Sequence, residues 1–214
     1  AAVLVVDGVG ETDCTSIFRA RGGVLEKIDS IIYPNSIGIF YSAFTAFCGF
    51  RPNSGEYKLM GLAPYGDPKY VHIILEKILH LNYEKLVYKL NNKIINPDLS
   101  LRSNLQLIAS VLGIQPVRFD ESPTTPIVNL AMSVQVVLEK VMVLLARRAK
   151  KLSGESNLCM AGGVALNCVA NSKIAEDGSF KNIWVFPAAG DAGGAVGAAQ
   201  AYLHMALNKK RRNA

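Results

Sequence analysis

A chain of 214 residues, half of them hydrophobic and 19% charged, can bury a substantial core and lies outside the disordered class. Its net charge of +6 is local: Arg147, Arg148, Lys150 and Lys151 close a long apolar run, where cations complement a helix C-terminus, and Lys209, Lys210, Arg211 and Arg212 form a basic tail. Without these eight the balance falls below zero, and no aromatic–basic stripe accompanies them, so nucleic-acid binding is not expected.

Ala1–Val6 reads as a strand entering a turn at Asp7-Gly8. Residues 14–20 and 24–30 are predicted strands separated by Gly22-Gly23, which gives an antiparallel meander. Apolar residues at Ile37, Phe40, Tyr41, Phe44 and Phe47 predict a helix over 36–50. The segment 51–67, with three glycines and two prolines, reads as loop, and 70–80 as a second helix. Residues 82–98 are polar and strand-like in pieces, with a turn at Asn91-Asn92, and 101–112 is a helix stopped by Gly113.

Pro123 and Pro126 lead into a long helix ending near Leu152. Its apolar stretch carries Asn129, Gln135, Glu139 and Lys140, which favours a core helix over a membrane span. A short strand at 157–160 follows, then a helix opened by Gly162-Gly163 and running to about Glu176. A strand at 183–186, a turn at 187–194 and a helix at 195–207 complete the order, the last rich in small residues that permit close helix–sheet packing. Three meander strands extended by helix-connected strands predict a mixed α/β sheet covered by helices, the succession of one lobe of the actin, hexokinase and Hsp70 (ribonuclease H-like) superfold. No GxGxxG follows the first strand, so a dinucleotide-binding fold is not supported.

The four cysteines share no CxxC spacing and sit in apolar segments, as buried reduced thiols do. With no signal peptide ahead of Ala1, a cytoplasmic protein is expected; because the chain opens inside a strand and not with Met, so is a truncated or processed product.

Chemistry concentrates where strands meet glycines. Asp7-Gly8-Val9-Gly10 reads either as a hairpin turn or as a carboxylate that holds a divalent metal beside phosphate-approaching glycines. Gly162, Gly163 and Asn167 stand at an expected helix start, either a structural turn or an anion-binding N-terminus with an amide side chain for base, ribose or phosphate. Gly190-Asp191-Ala192-Gly193-Gly194 repeats the arrangement, with Asp191 as an N-cap or a second metal ligand. Glu56 and Lys58, with Gly61, lie in a glycine-flanked segment suited to ribose and phosphate, or to a solvated turn. Two strand-end aspartates with two glycine-rich turns favour a nucleotide–metal site. His72, His80 and His204, placed on helices, have no metal-binding spacing.

The segments SGEYKLMGLAPYGDP, MAGGVALNCVANSKI and PAAGDAGGAVGAA, with the opening VLVVDGVGETDCTSIF, resemble the O-carbamoyltransferases of nodulation-factor and antibiotic biosynthesis, related to the tRNA threonylcarbamoyl transferases. The resemblance implies an ATP-dependent transfer of a carbamoyl group from carbamoyl-adenylate to a small-molecule hydroxyl, with a bound metal, usually iron. It assigns Asp7 and Asp191 to the metal and Gly8, Gly10, Glu56, Lys58, Gly61, Gly162, Gly163, Asn167, Gly190 and Gly193 to the nucleotide. Residues 1–208 then form part of the N-terminal domain and 209–214 a tail. The family's HxxxH metal ligands, acceptor-binding residues and adenylate-forming domain have no counterpart in this sequence, so an upstream segment and that domain are the expected partners. A sugar- or acetate-kinase-like phosphotransferase and a non-catalytic nucleotide-binding lobe are the competing readings.

Overall fold

The computed structural model describes residues 1–119 and 121–209. Lys210, Arg211 and Arg212 of the basic tail lie outside them. Five strands form one mixed sheet in the order β3-β2-β1-β6-β7. Strands β1 (Ala2–Val6), β2 (Asp13–Arg21) and β3 (Val24–Ile32) make the antiparallel meander, while β6 (Asn157–Ala161) and β7 (Asn182–Val185) extend it in parallel from the other edge of β1.

Alternation along β1 decides which face is core. Ala2, Leu4 and Val6 are fully buried, and their row continues across the register into Leu158 and Met160. The opposite row runs through Phe18, Val3, Cys159 and Trp184; its first three residues are half-buried and Trp184 is exposed. The expected mixed sheet with helices is present, and the face of Ala2, Leu4 and Val6 is the more deeply buried one.

Helix α1 (Ile37–Phe47) starts because the Ser36 hydroxyl accepts from the Ile39 amide, and its aromatic ridge of Phe40, Phe44 and Phe47 is wholly buried. Helix α5 (Thr125–Ser153) begins with Pro in its first turn, ends with Lys150 and Lys151, and stops at Gly154 in the left-handed conformation. It is long and apolar enough to cross a membrane by composition, yet it packs against β1, β2, α1 and α6 (Cys168–Asp177) as the core helix. Two cations near its end find partners: Arg147 reaches Asp177 at 2.9 Å, and Arg148 pairs with Asp29 on β3.

Several elements depart from the sequence reading. Residues 56–62, expected as loop, form α2 (Glu56–Leu62), where Leu59 turns into the core and a 3-10 turn, Ala63–Tyr65, follows. The helix expected over 70–80 is only α3 (Val71–Ile73) with a π turn to Ile78; Leu79 onward is β4 (Leu79–Asn82), paired with β5 (Val87–Leu90), so His80 lies on a strand. The turn expected at Asn91-Asn92 is present directly after this hairpin, closed by the Ile94 amide donating to Asn91 O at 2.9 Å. Helix α4 (Leu101–Leu112) matches its expected bounds, with Ser100 and Gly113 as caps. Helix α7 (Gly193–Ala201) has no buried residue, so its small side chains do not serve helix–sheet packing.

Candidate functional site

Ligands in open α/β sheets gather at the carboxyl ends of parallel strands. Here three such ends lie side by side: β1 ends in Asp7, β6 in Gly162-Gly163, and β7 leads to Gly190-Asp191. Their turns interlock. The Gly162 amide donates to Ala189 O at 2.8 Å, joining the β6 turn to the β7 turn. Asp7 Oδ1 accepts from the amides of Gly8 at 2.8 Å and Gly163 at 3.3 Å, joining β1 to β6.

Close approach explains two of the glycines. Gly162 has φ +91°, and a Cβ there would stand 2.2 Å from Val6 O. A Cβ on Gly38, in the first turn of α1, would stand 2.7 Å from Asp7 O and from the Gly8 backbone. The first turn of α1 therefore rests directly on the Asp7-Gly8 peptide, and Ser36 Oγ donates to Gly8 O.

Above these turns opens a cavity of about 460 Å³. Asp7, Gly8, Gly163, Gly190 and Asp191 form its strand-end floor. Helix α1 adds Gly38, Tyr41 and Ser42, spaced i, i+3, i+4 on one face. The α2 side adds Asn53, Ser54, Glu56, Tyr57 and Met60, while Leu138, Val164 and Leu166 make an apolar wall. Glu56 Oε1 accepts from Ser42 Oγ at 2.8 Å and from the Asn53 amide at 2.7 Å, which ties the α2 segment to α1.

Seven of the twelve residues singled out in the sequence line this cavity: Asp7, Gly8, Glu56, Gly163, Asn167, Gly190 and Asp191. Five do not. The Gly10 amide closes the β1–β2 turn on Asp13 O at 2.7 Å. Lys58 and Gly61 lie exposed on α2; Lys58, two residues from Glu56, cannot share its side of a helix. Gly162 lies beneath the floor against Val6, and Gly193 packs its turn against Ala188 O, which a Cβ would approach to 2.2 Å.

Asn167 lines the cavity in a role other than the expected one. The segment after Gly162 is a 3-10 turn, Gly163–Leu166, and the α-helix begins only at Cys168. Asn167 caps that helix by accepting from the Ala170 amide at 2.9 Å, and its amide pairs with buried Gln135 on α5. Its side chain is thus already committed. The backbone amides expected to receive an anion are engaged as well: those of Gly8 and Gly163 point at Asp7, and that of Gly162 at Ala189.

What faces the cavity is negative. Asp7, Glu56 and Asp191 line it with no Lys, Arg or His among its lining residues. Asp191 does not cap α7, whose N-cap is Ala192, and among the described residues no hydrogen bond reaches its carboxylate. The described residues contain no group of three His, Cys, Asp or Glu side chains able to close around a metal ion. Two aspartates fit a hard cation that brings other oxygen ligands, and they do not by themselves complete an iron centre. Burial pushes the Tyr41 phenol well above its usual range and holds the Cys48 thiol up to about 12, so both are neutral bystanders to acid–base chemistry.

Comparison with known proteins gives this arrangement its context. The family described as carbamoyltransferase N-terminus matches residues 1–200. The chain belongs to this carbamoyltransferase family. An uncharacterized protein of Synechocystis sp. is 49% identical over 99% of the chain and 34% of its own length. The nodulation protein NolO of Bradyrhizobium diazoefficiens is 34% identical over 92% of the chain and 34% of its length. The nodulation protein NolNO of Sinorhizobium fredii is 32% identical over 92% and 27% respectively. The chain thus spans about a third of the length of these relatives.

Sequence reasoning missed the α1 and α5 contributions to the cavity. The signal for α1 was the cluster Gly38, Tyr41 and Ser42 at i, i+3, i+4 on a helix whose aromatic ridge is Phe40, Phe44 and Phe47.

Proposed function

We propose that the chain forms the nucleotide-facing lobe of an ATP-dependent carbamoyltransferase, which moves a carbamoyl group from carbamoyl-adenylate to a small-molecule hydroxyl. The observation that carries it is the meeting of Asp7 and Asp191, separated by almost the whole sequence, on one cavity at the carboxyl ends of parallel strands. An antiparallel meander continued by two parallel strands supports reading the sheet as one lobe of the actin, hexokinase and Hsp70 superfold. Family membership favours carbamoyl over phosphoryl transfer.

In the proposed transfer the acceptor oxygen bonds to the carbamoyl carbon, the bond from that carbon to the phosphate oxygen breaks, AMP leaves with the electron pair, and the hydroxyl proton leaves with the phosphate of AMP. Asp7 and Asp191 would hold a divalent cation, which would supply charge neutralisation at the phosphates. The apolar wall of Leu138, Val164 and Leu166 excludes water beside the reacting group, and Glu56, fixed by Ser42, faces hydroxyls of the nucleotide or acceptor. The adenylate-forming step is assigned to a separate domain or chain. Cytoplasmic residence belongs to the same proposal, supported by four free cysteines of which Cys14 and Cys48 are buried.

The test is calorimetric titration of the chain with Mg²⁺–ATP, Mg²⁺–ADP and AMP, beside the Asp7→Asn and Asp191→Asn variants. Saturable nucleotide binding weakened at least tenfold in both variants supports the site; no heat with any nucleotide rejects it. Supplying carbamoyl-adenylate and a hydroxyl acceptor then separates carbamoyl from phosphoryl transfer by product mass.

A further inference from the structure

Among the buried polar side chains of the long core helix, Gln135 stands at the centre of a polar knot. It is 2% exposed. Its Oε1 accepts from Tyr41 Oη at 3.0 Å and from Asn167 Nδ2 at 2.9 Å. Its Nε2 donates to Asn167 Oδ1 at 3.1 Å and to Glu139 Oε1 at 3.0 Å. The two primary amides thus form a reciprocal pair, and Tyr41 and Glu139 complete the remaining valences.

The orientation of this pair is forced. The Ala170 amide, donating at 2.9 Å, fixes Asn167 Oδ1 as an acceptor. That turns Gln135 Nε2 toward it, which leaves Oε1 for Asn167 Nδ2 and Tyr41. No flipped arrangement satisfies all the donors, so every hydrogen-bonding atom of Gln135 is used once the helix cap exists.

Two of its partners, Tyr41 and Asn167, belong to different parts of the cavity. Tyr41 sits on α1 beside Gly38 and Ser42, and Asn167 ends the 3-10 turn that carries Gly163, Val164 and Leu166. Gln135 lies one helical turn from Leu138, which lines the same cavity. We propose that Gln135 is a positioning residue: one amide holds the α1 wall and the Gly163–Asn167 wall at a fixed separation, and so sets the width of the cavity. That the cavity takes a nucleotide rests on the reading above; that Gln135 pins its two walls does not.

The experiment compares the wild-type chain with Gln135→Leu, which removes the amide, and Gln135→Glu, which keeps the shape but sets oxygen against Asn167 Oδ1 and Glu139. Ile108→Ala, a buried change on α4 that does not line the cavity, controls for general destabilisation. Hydrogen–deuterium exchange is read at the Ala165, Asn167 and Ala170 amides, all hydrogen-bonded within this wall. Both Gln135 variants are expected to speed exchange there at least tenfold relative to helix α4, and to weaken Mg²⁺–nucleotide binding at least fivefold. Ile108→Ala is expected to leave both ratios unchanged at a comparable loss of Tm. Exchange at these amides rising only in proportion to the loss of Tm, as in the control, overturns the proposal. If the wild type binds no nucleotide, the functional reading fails while the exchange ratio still decides the role of Gln135. Should Gln135→Leu not fold, the isosteric Gln135→Glu carries the same comparison.

Discussion

Gly162 and Gly61 look alike in the sequence, each a glycine inside a candidate nucleotide motif, yet substitution should separate them sharply. Gly162 has φ +91° and ψ 159°, a region open almost only to glycine, and its missing Cβ would lie 2.2 Å from Val6 O and 2.6 Å from Val6 C. The backbone conformation costs a side-chain-bearing residue about 1–3 kcal/mol, and overpacking against a central strand costs about 1–3 kcal/mol more. Gly162→Ala should therefore lose roughly 2–6 kcal/mol of unfolding free energy. Part of this relaxes by moving Gly163 away from Asp7, so the 3.3 Å bond between them lengthens and cavity binding weakens as well. Gly61 is helical, exposed and has nothing within 4 Å of a built Cβ, so Gly61→Ala should gain about 0.5–1 kcal/mol. Urea unfolding followed by circular dichroism reads both. A Gly162→Ala chain that loses less than about 1 kcal/mol refutes the argument from strain and close approach.

Gly38→Ala should cost about 1–3 kcal/mol in the same assay, because its Cβ meets the Asp7 and Gly8 backbone at 2.7 Å. Asp7→Asn keeps an oxygen for the Gly8 and Gly163 amides, so stability should change by less than about 1 kcal/mol while Mg²⁺–nucleotide affinity falls at least tenfold; Asp7→Ala should lose both. The Asp177 carboxyl is held below its usual range first by Arg147 and then by Ser179. Its contribution is complete above the unfolded value near 3.8 and is lost as pH falls through the lower folded value, so Asp177→Asn should flatten the acid limb of a stability–pH curve below pH 3.8. Chelating divalent cations with EDTA should abolish nucleotide binding measured by calorimetry, and restoring Mg²⁺ should recover it.

The meander and the core helices were legible because their signals are local. The period of α1, the proline start and glycine stop of α5, and the Gly22-Gly23 hairpin are each written within a few residues. Helix α2 was hidden by Gly55 and Gly61, which read as loop, although Leu59 anchors it in the core. The early end of α3 was hidden because Ile74, Leu75 and Ile78 keep a helical period, while pairing of Leu79–Asn82 with Val87–Leu90 is settled by tertiary contact. Asp7 and Asp191 stood out by their place at strand ends. The partners of Asn167 did not, because nothing in the local pattern shows that its amide faces Gln135, 32 residues away on another helix.

The same contrast bears on how the cleft can work. Glycine-rich turns at strand ends suggest open amides waiting for phosphate, yet the Gly8 and Gly163 amides are turned onto Asp7. That carboxylate replaces the anion the amides could have received and presents its own charge to the cavity, where Glu56 and Asp191 add two more. Two unit charges about 5 Å apart interact by roughly 3 kcal/mol at an effective dielectric near 20, so a bare nucleotide polyphosphate is repelled by several such terms. A divalent cation placed between them adds an attraction to each carboxylate and offsets that repulsion. On the proposed function, then, selectivity begins with charge: the floor rejects free polyphosphate and accepts its metal complex, and the amides serve to aim Asp7.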